Sequence, residues 1–200
     1  MAIADGKYNG ELSQHHKLRY RIEMHHIIFV GGIHGVGKTQ FCKTITEHVH
    51  IDHASASDLI RQAGKLLSTT EKQVEKVAEN QDLLIYALSQ YVSDFQVLLL
   101  DGHFCLLDKQ LNIQLIPLAT FQHIAPKAVV VVTDKPEIIV ERLLKRDGKS
   151  YALDLIKRFQ ENEIDYAEHV CKNLNIPLLI HNSTSSIIEV LSFVSKYLPE

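Results

Sequence analysis

The segment Gly32–Thr39 constrains the fold most, because it fits the spacing G-x-x-x-x-G-K-[ST] of a phosphate-binding loop. Such a loop works between a strand and a helix, since the helix N-terminus adds backbone N–H groups and a positive dipole to those of the loop. The neighbouring residues satisfy this order: the apolar run Ile27–Val30 precedes the loop and the helical pattern Gln40–His50 follows it. The sequence therefore predicts an α/β domain that binds a nucleoside triphosphate.

The chemistry of phosphate binding explains each residue type in the loop. Glycines let successive N–H groups close around a phosphate, the Lys38 ammonium reaches the β- and γ-oxygens, and the Thr39 hydroxyl is a ligand for Mg²⁺. ATP and Mg²⁺ are the predicted cofactors, and Lys38 is also a predicted catalytic residue. The predicted nucleotide-contacting residues are Gly32, His34, Gly35, Val36, Gly37, Lys38, Thr39 and Gln40.

A second part of the site follows the apolar run Val97–Leu100, at Asp101. A carboxylate at the C-terminal end of a strand beside the phosphate-loop strand is placed to hold Mg²⁺ directly or through a water. Thr39 and Asp101 are therefore the predicted metal residues. The alternative for Asp101 is a strand-end turn that is closed by its side chain before Gly102.

Apolar runs alternate with helical patterns along the chain, and runs such as Val129–Val132 are what a parallel sheet covered on both faces requires. We predict a three-layer P-loop NTPase fold with a central five-stranded parallel sheet flanked by helices. The predicted strands are His26–Gly31, Val49–Ala54, Gln96–Asp101, Lys127–Thr133 and Ile176–His181. The predicted helices are Lys38–His48, Ser57–Leu67, Thr70–Val92, Pro136–Arg146, Leu153–Leu174 and Ser186–Leu198. Residues 1–24 are predicted to be a polar N-terminal extension and residues 25–200 a single domain.

Composition narrows the function classes. The net charge of −3, from 21 basic and 24 acidic residues, gives no basic field that would favour nucleic acid as the main partner. The three cysteines form no C-x-x-C pair and the twelve histidines show no zinc-ligand spacing, so we predict reduced thiols, a cytoplasmic protein and no zinc site. No apolar stretch approaches the length of a membrane helix. A protein partner or an oligomer is left open.

A family resemblance begins at Ser55–Arg61, which reads S-x-x-D-x-x-R. It resembles the element of adenylate kinases and related nucleoside monophosphate kinases whose arginine binds the phosphate of the accepting monophosphate. The resemblance runs from about His26 to Leu198 in family order. It implies that Ser57, Asp58 and Arg61 belong to the acceptor site, with acceptor-binding helices over about 55–93. It further implies a catalytic role for Arg142, Arg146 and Arg158 in a short lid over about 142–158.

The activity that the resemblance implies is transfer of the γ-phosphate of Mg·ATP to a nucleoside monophosphate. The family often has an arginine after the Asp-Gly pair that contacts the acceptor phosphate, whereas this chain has His103, which we assign to the acceptor site as a substitute donor. Two other functions stay open at this point. One is an adenylate-kinase-like ATPase that acts as an assembly or regulatory switch with a protein or RNA partner, and the other is a kinase for a different phosphoacceptor.

Overall fold

The structure, a computed structural model, describes residues 26–69, 80–91 and 97–198. Seven strands lie in this part of the chain. They are β1 (His26–Gly31), β2 (Asp52–Ser55), β3 (Val97–Asp101), β4 (Cys105–Leu107), β5 (Ile113–Leu115), β6 (Ala128–Thr133) and β7 (Leu178–Asn182). Five of them form a sheet in the order β2-β3-β1-β6-β7, in which every neighbouring pair is parallel. The short β4 and β5 form a separate antiparallel hairpin.

Helices cover both faces of the large sheet. They are α1 (Lys38–His48), α2 (Ala56–Thr69), α3 (Asn80–Tyr91), α4 (Leu118–Ile124), α5 (Pro136–Asp147), α6 (Leu153–Leu174) and α7 (Ile188–Ser195). Alternate residues of β1 point to opposite faces: Ile27 and Phe29 pack with α2, α3 and α4, while Ile28 and Val30 pack with α1, α5 and α7. Helix α6 contributes to both cores. The predicted three-layer α/β fold with five parallel strands is confirmed.

Element boundaries agree with the sequence prediction to within three residues at most ends. Strand β1 and helices α1 and α6 are confirmed at both ends, whereas β2 begins at Asp52 rather than Val49 and the last helix ends at Ser195 rather than Leu198. The sequence missed β4, β5 and α4, because two three-residue strands and a seven-residue helix are too short to show a hydrophobic period. The predicted extension 1–24 and residues 70–79 and 92 of the predicted helix Thr70–Val92 lie outside the described residues.

Parallel strands bring their carboxyl ends to one edge of the sheet, and this edge positions the site. The phosphate loop leaves β1, which is flanked by β3 with Asp101 at its end and by β6. Residues 148–152 join α5 to α6, so the predicted lid region has a short connection. In the part of the chain that the structure describes, no helix is both long and apolar enough to cross a membrane.

Candidate active site

The phosphate loop adopts a backbone that glycine alone accommodates easily. Gly32 has φ +144° and Gly37, which precedes the first residue of α1, has φ +102°. A Cβ at Gly32 would lie 2.7 Å from the backbone oxygen of Val132, so the loop also approaches β6 too closely for a side chain. The glycine spacing is therefore required by the local geometry.

Lys38 lies inside the loop. Its side chain is 7% exposed, and Nζ donates hydrogen bonds to the carbonyl oxygens of Gly32 at 2.8 Å and Ile33 at 3.3 Å. Burial lowers the pKa of the ammonium, and the carboxylates of Asp101 and Glu163 oppose that shift. The loop thus presents a poorly hydrated positive charge to the cleft. Because little water screens this charge, its attraction for a bound phosphate is strong.

Thr39 and Asp101, the predicted metal residues, lie together. Thr39 Oγ1 donates a hydrogen bond of 2.9 Å to Asp101 Oδ2, because α1 starts at the end of β1 and β3 is the neighbouring strand. A hydroxyl and a carboxylate supply the oxygen ligands that Mg²⁺ prefers, so the donor set fits that ion. His53 Nε2 lies 3.5 Å from the same carboxylate oxygen.

Two of the three predicted arginines, Arg142 and Arg146, approach the loop from α5. Arg142 Nη1 donates to the carbonyl oxygen of Val36 at 3.0 Å and lies 2.8 Å from Oδ2 of the buried Asp134. Arg146 is one turn further along and pairs with Asp147 through its Nε at 2.6 Å. Both arginines line the same cavity as Lys38.

Arg158 and part of the predicted acceptor site do not line the cavity that Arg142 and Arg146 line. Arg158 Nε donates to the carbonyl oxygen of Asp154 at 3.4 Å. Arg61 Nη2 donates to Asp58 Oδ1 at 2.8 Å, and its side chain is 65% exposed. Ser57 lines the cavity, whereas Arg158, Arg61 and Asp58 are not among its lining residues. The structure therefore brings together the loop, Asp101, Arg142, Arg146 and Ser57.

Two histidines meet at the cavity. The rings of His34 and His103 have their centroids 4.0 Å apart, and both line the cavity wall. Removal from solvent, and then the positive charge of Lys38, lower the pKa of His103 well below its ordinary value. The pKa of His34 is lowered in the same direction, but His34 is exposed, so water screens the effect. A lowered pKa favours the neutral form of the His103 ring, so His103 would meet an acceptor through a hydrogen bond rather than a positive charge.

The cavity has a volume of about 740 Å³ and two kinds of lining residue. Charged and polar groups of the phosphate loop, Asp101 and α5 form one part of the lining. Apolar side chains form the other part, the apolar wall, with Thr120 as a hydroxyl among them. That wall consists of Phe29, Ala56, Ile60, Leu84, Leu106, Ile116, Phe121 and Ile124. Sequence reasoning missed Leu106, Ile116 and Phe121 because they belong to the hairpin region and α4.

Glu163 is a further residue that sequence reasoning missed. Its side chain is 0% exposed, and Oε1 accepts hydrogen bonds from the backbone N–H groups of Gly32 at 2.7 Å and Phe104 at 3.0 Å. Oε2 accepts from the Cys105 N–H at 2.8 Å and from its Sγ at 3.1 Å. Burial raises the pKa of Glu163, and the hydrogen bonds from Phe104 and Cys105 and the charge of Lys38 oppose the rise. The sequence feature that could have identified Glu163 is its position on the apolar face of α6, between Phe159 and Ala167.

These features define a P-loop nucleotide-binding protein, in which a glycine-rich loop, a buried lysine and a strand-end aspartate meet at one sheet edge. Residues 31–160 match the family model described as "AAA domain", and the chain belongs to this family. No curated protein matches the chain. Among solved structures it is similar to a gluconokinase from Sinorhizobium meliloti 1021, with 13% sequence identity, 87% of this chain and 91% of that chain covered, and a TM-score of 0.47. Neither match names a nucleoside monophosphate kinase.

Proposed function

We propose that this protein is an ATP-dependent phosphotransferase that moves the γ-phosphoryl group of Mg·ATP to an acceptor bound beside the phosphate loop. The observation that carries the proposal is a cavity of about 740 Å³ that is lined both by the polar groups of the phosphate site and by the apolar wall. Simple hydrolysis of ATP needs only the polar groups, which include Lys38, Thr39 and the arginines. The apolar wall provides room and contacts for a second molecule.

The chain contributes position and charge to such a transfer rather than covalent chemistry. Lys38, Arg142 and Arg146 line the cavity and would neutralise charge on the migrating phosphoryl group. Val36 and Asp134 already hold the Arg142 side chain in place, so the reaction requires little further loss of side-chain freedom. Thr39 and Asp101 would hold Mg²⁺, which offsets charge on the phosphate oxygens when it is bound. The apolar wall would exclude water from the transfer.

A nucleoside monophosphate is the acceptor that the resemblance at Ser55–Arg61 supports. In this proposal the base lies against the apolar wall and Arg61 binds the acceptor phosphate. Arg61 must then leave Asp58, with which it forms an exposed pair three residues apart in the chain. An exposed pair of this kind contributes little free energy, so its exchange for a phosphate is favourable.

A second candidate acceptor is an alcohol with an apolar body. The observation in its favour is that the polar side chains near the apolar wall are hydroxyls and a neutral ring: Ser55, Ser57, Thr120 and His103. Hydroxyls and a neutral imidazole bind a hydroxyl group well and offer a phosphate no charge. This candidate retains the same ATP site and the same phosphoryl transfer.

An acceptor panel tests the proposal. ADP formation would be measured with AMP, CMP, UMP, GMP, their deoxy forms, gluconate and aromatic or aliphatic alcohols, with Lys38→Ala as the inactive control. We expect ADP formation to rise steeply with one class of acceptor. A rate that is the same with every acceptor and with none would contradict the proposal and favour an ATPase switch. A response to monophosphates alone selects the first candidate, and a response to alcohols alone selects the second.

A further inference from the structure

We propose that Cys42, His53 and Asp101 form a binding site for a divalent transition-metal ion, with Zn²⁺ as the representative ion, next to the proposed magnesium position. We further infer that occupation of this site withdraws Asp101 from Mg·ATP and inhibits the protein. The metal site itself is independent of the proposed function. The inhibition rests on the proposed function.

Three elements bring the ligands together. Cys42 is three residues after Thr39 in α1 and therefore lies one turn away on a neighbouring face. His53 lies in β2 two residues before Ser55, which pairs with Asp101 of β3, so His53 and Asp101 are diagonal neighbours across adjacent strands. One ligand atom from each of Cys42, His53 and Asp101 lies within 4.8 Å of the other two.

The separations fit a tetrahedral ion after small side-chain movements. Zinc bond lengths of about 2.0–2.3 Å place the ligand atoms of a tetrahedral site about 3.3–3.8 Å apart. His53 Nε2 and Asp101 Oδ2 are already 3.5 Å apart. Three protein ligands with one position left for water or a substrate oxygen is a common zinc arrangement.

The donor set selects the class of metal. A thiolate and an imidazole nitrogen favour zinc and its neighbours in the transition series, whereas Mg²⁺ requires oxygen ligands. Asp101 can therefore serve Mg²⁺ together with Thr39, or a softer ion together with Cys42 and His53. The two ions would compete for the same carboxylate.

The environment of His53 Nε2 supports the same site. The side chain is 16% exposed, and its buried Nε2 atom makes no hydrogen bond among the described residues, although Asp101 Oδ2 lies 3.5 Å away. A buried polar nitrogen that makes no hydrogen bond is unfavourable. A metal ion bound to Nε2 would satisfy this atom and use the buried Cys42 thiol beside it.

Cobalt binding to the full chain tests the site without ATP. Co²⁺ bound to a thiolate gives a charge-transfer absorbance that oxygen and nitrogen ligands do not give. We expect one equivalent of Co²⁺ to produce this band in the wild type and to be displaced by Zn²⁺. Cys171→Ala, which removes another buried thiol outside the cluster, should retain the band. Cys42→Ala should lose the band, and His53→Gln should retain a thiolate band with at least a ten-fold weaker affinity.

The proposal is overturned if the wild type gives no thiolate–cobalt band, or if Cys42→Ala or His53→Gln binds Co²⁺ as tightly as the wild type. Circular dichroism confirms that each variant is folded, and the partly exposed His53 provides a variant that removes a ligand without opening the core. These readouts do not depend on turnover, so failure of the proposed function would leave them unchanged.

A separate kinetic experiment tests inhibition by zinc. Buffered free Zn²⁺ should raise the apparent KM for Mg·ATP in the wild type and in Cys171→Ala. Each inhibited rate is divided by the rate of the same variant without zinc, so that changes in basal activity cancel. We expect the effect to fall at least ten-fold in His53→Gln. Equal zinc inhibition in all three proteins would refute the competition at Asp101.

Discussion

Replacement of Glu163 by glutamine tests how the phosphate loop is held. The Glu163 carboxylate accepts three backbone N–H groups and one thiol, and it joins α6 to the first residue of the loop and to the segment after Asp101. Glutamine has the same shape but carries one oxygen and one NH₂ group. Since every neighbour is a donor, the NH₂ group must face a donor in either orientation.

The magnitude follows from this count. In the better orientation the amide oxygen keeps Gly32 and Phe104, and the Cys105 N–H loses its acceptor inside the core. An unsatisfied buried donor costs about 1–3 kcal/mol, and the two remaining bonds lose about half their strength when the charge is removed. Removal of a buried charge offsets part of this loss. We expect Glu163→Gln to lower the free energy of unfolding by about 2–4 kcal/mol.

Chemical denaturation gives the free energy of unfolding, and calorimetry gives the ATP affinity at a temperature where the variant is folded. The affinity for Mg·ATP should fall at least ten-fold, because Gly32 also provides the carbonyl oxygen that orients Lys38. Glu161→Gln on the exposed side of the same helix is the matched control and should stay within about 0.5 kcal/mol of the wild type. Glu163→Gln within 0.5 kcal/mol and with unchanged ATP affinity would refute the reasoning.

Four further predictions follow from the site. Lys38→Ala should remain folded and lose measurable Mg·ATP binding in calorimetry, and unchanged affinity would contradict the site assignment. Asp101→Asn should raise the Mg²⁺ concentration that half-saturates turnover, and an unchanged requirement would remove Asp101 from the metal site. If the acceptor is a monophosphate, Arg61→Ala should lower kcat/KM for it about 10²–10⁴-fold while ATP binding survives; Lys157→Ala, which disrupts another exposed pair, is the control. Stability should fall from pH 7 to pH 5, because the unfolded chain binds a proton near pH 6.5 that folded His103 excludes. His103→Asn should flatten this slope by at most about 1.4 kcal/mol per pH unit in denaturation curves, and an unchanged slope would refute the role of His103.

The loop and the sheet could be predicted because their signals are local. The glycine spacing from Gly32 to Lys38 reflects backbone angles within the loop itself, and the apolar runs of β3 and β6 report burial on both faces. The proximity of Thr39 and Asp101 followed from one topological rule, that parallel strands end at the same edge.

The rest of the site depends on contacts between distant segments. Glu163 is 131 residues from Gly32, and its hydrogen bonds are to backbone groups, which carry no sequence signature. The cluster of Cys42, His53 and Asp101 has no motif spacing, since its members come from three elements. The prediction of no zinc site used only the spacing of residues along the sequence, and spacing cannot reveal a cluster that forms from three distant elements. The ion pair between Arg61 and Asp58 was likewise not predicted, because the sequence analysis assigned both residues to the acceptor site.

The fate of the γ-phosphoryl group tests the central claim most directly. ATP labelled in its γ-phosphate would be incubated with the wild type, Mg²⁺ and the acceptor panel, and the labelled products would be separated. Phosphoryl transfer to a molecule in the cavity predicts that the label appears in an organic phosphate in equal amount to the ADP formed, and that Lys38→Ala forms neither. Label recovered only as inorganic phosphate, at a rate that no acceptor changes, would contradict the claim.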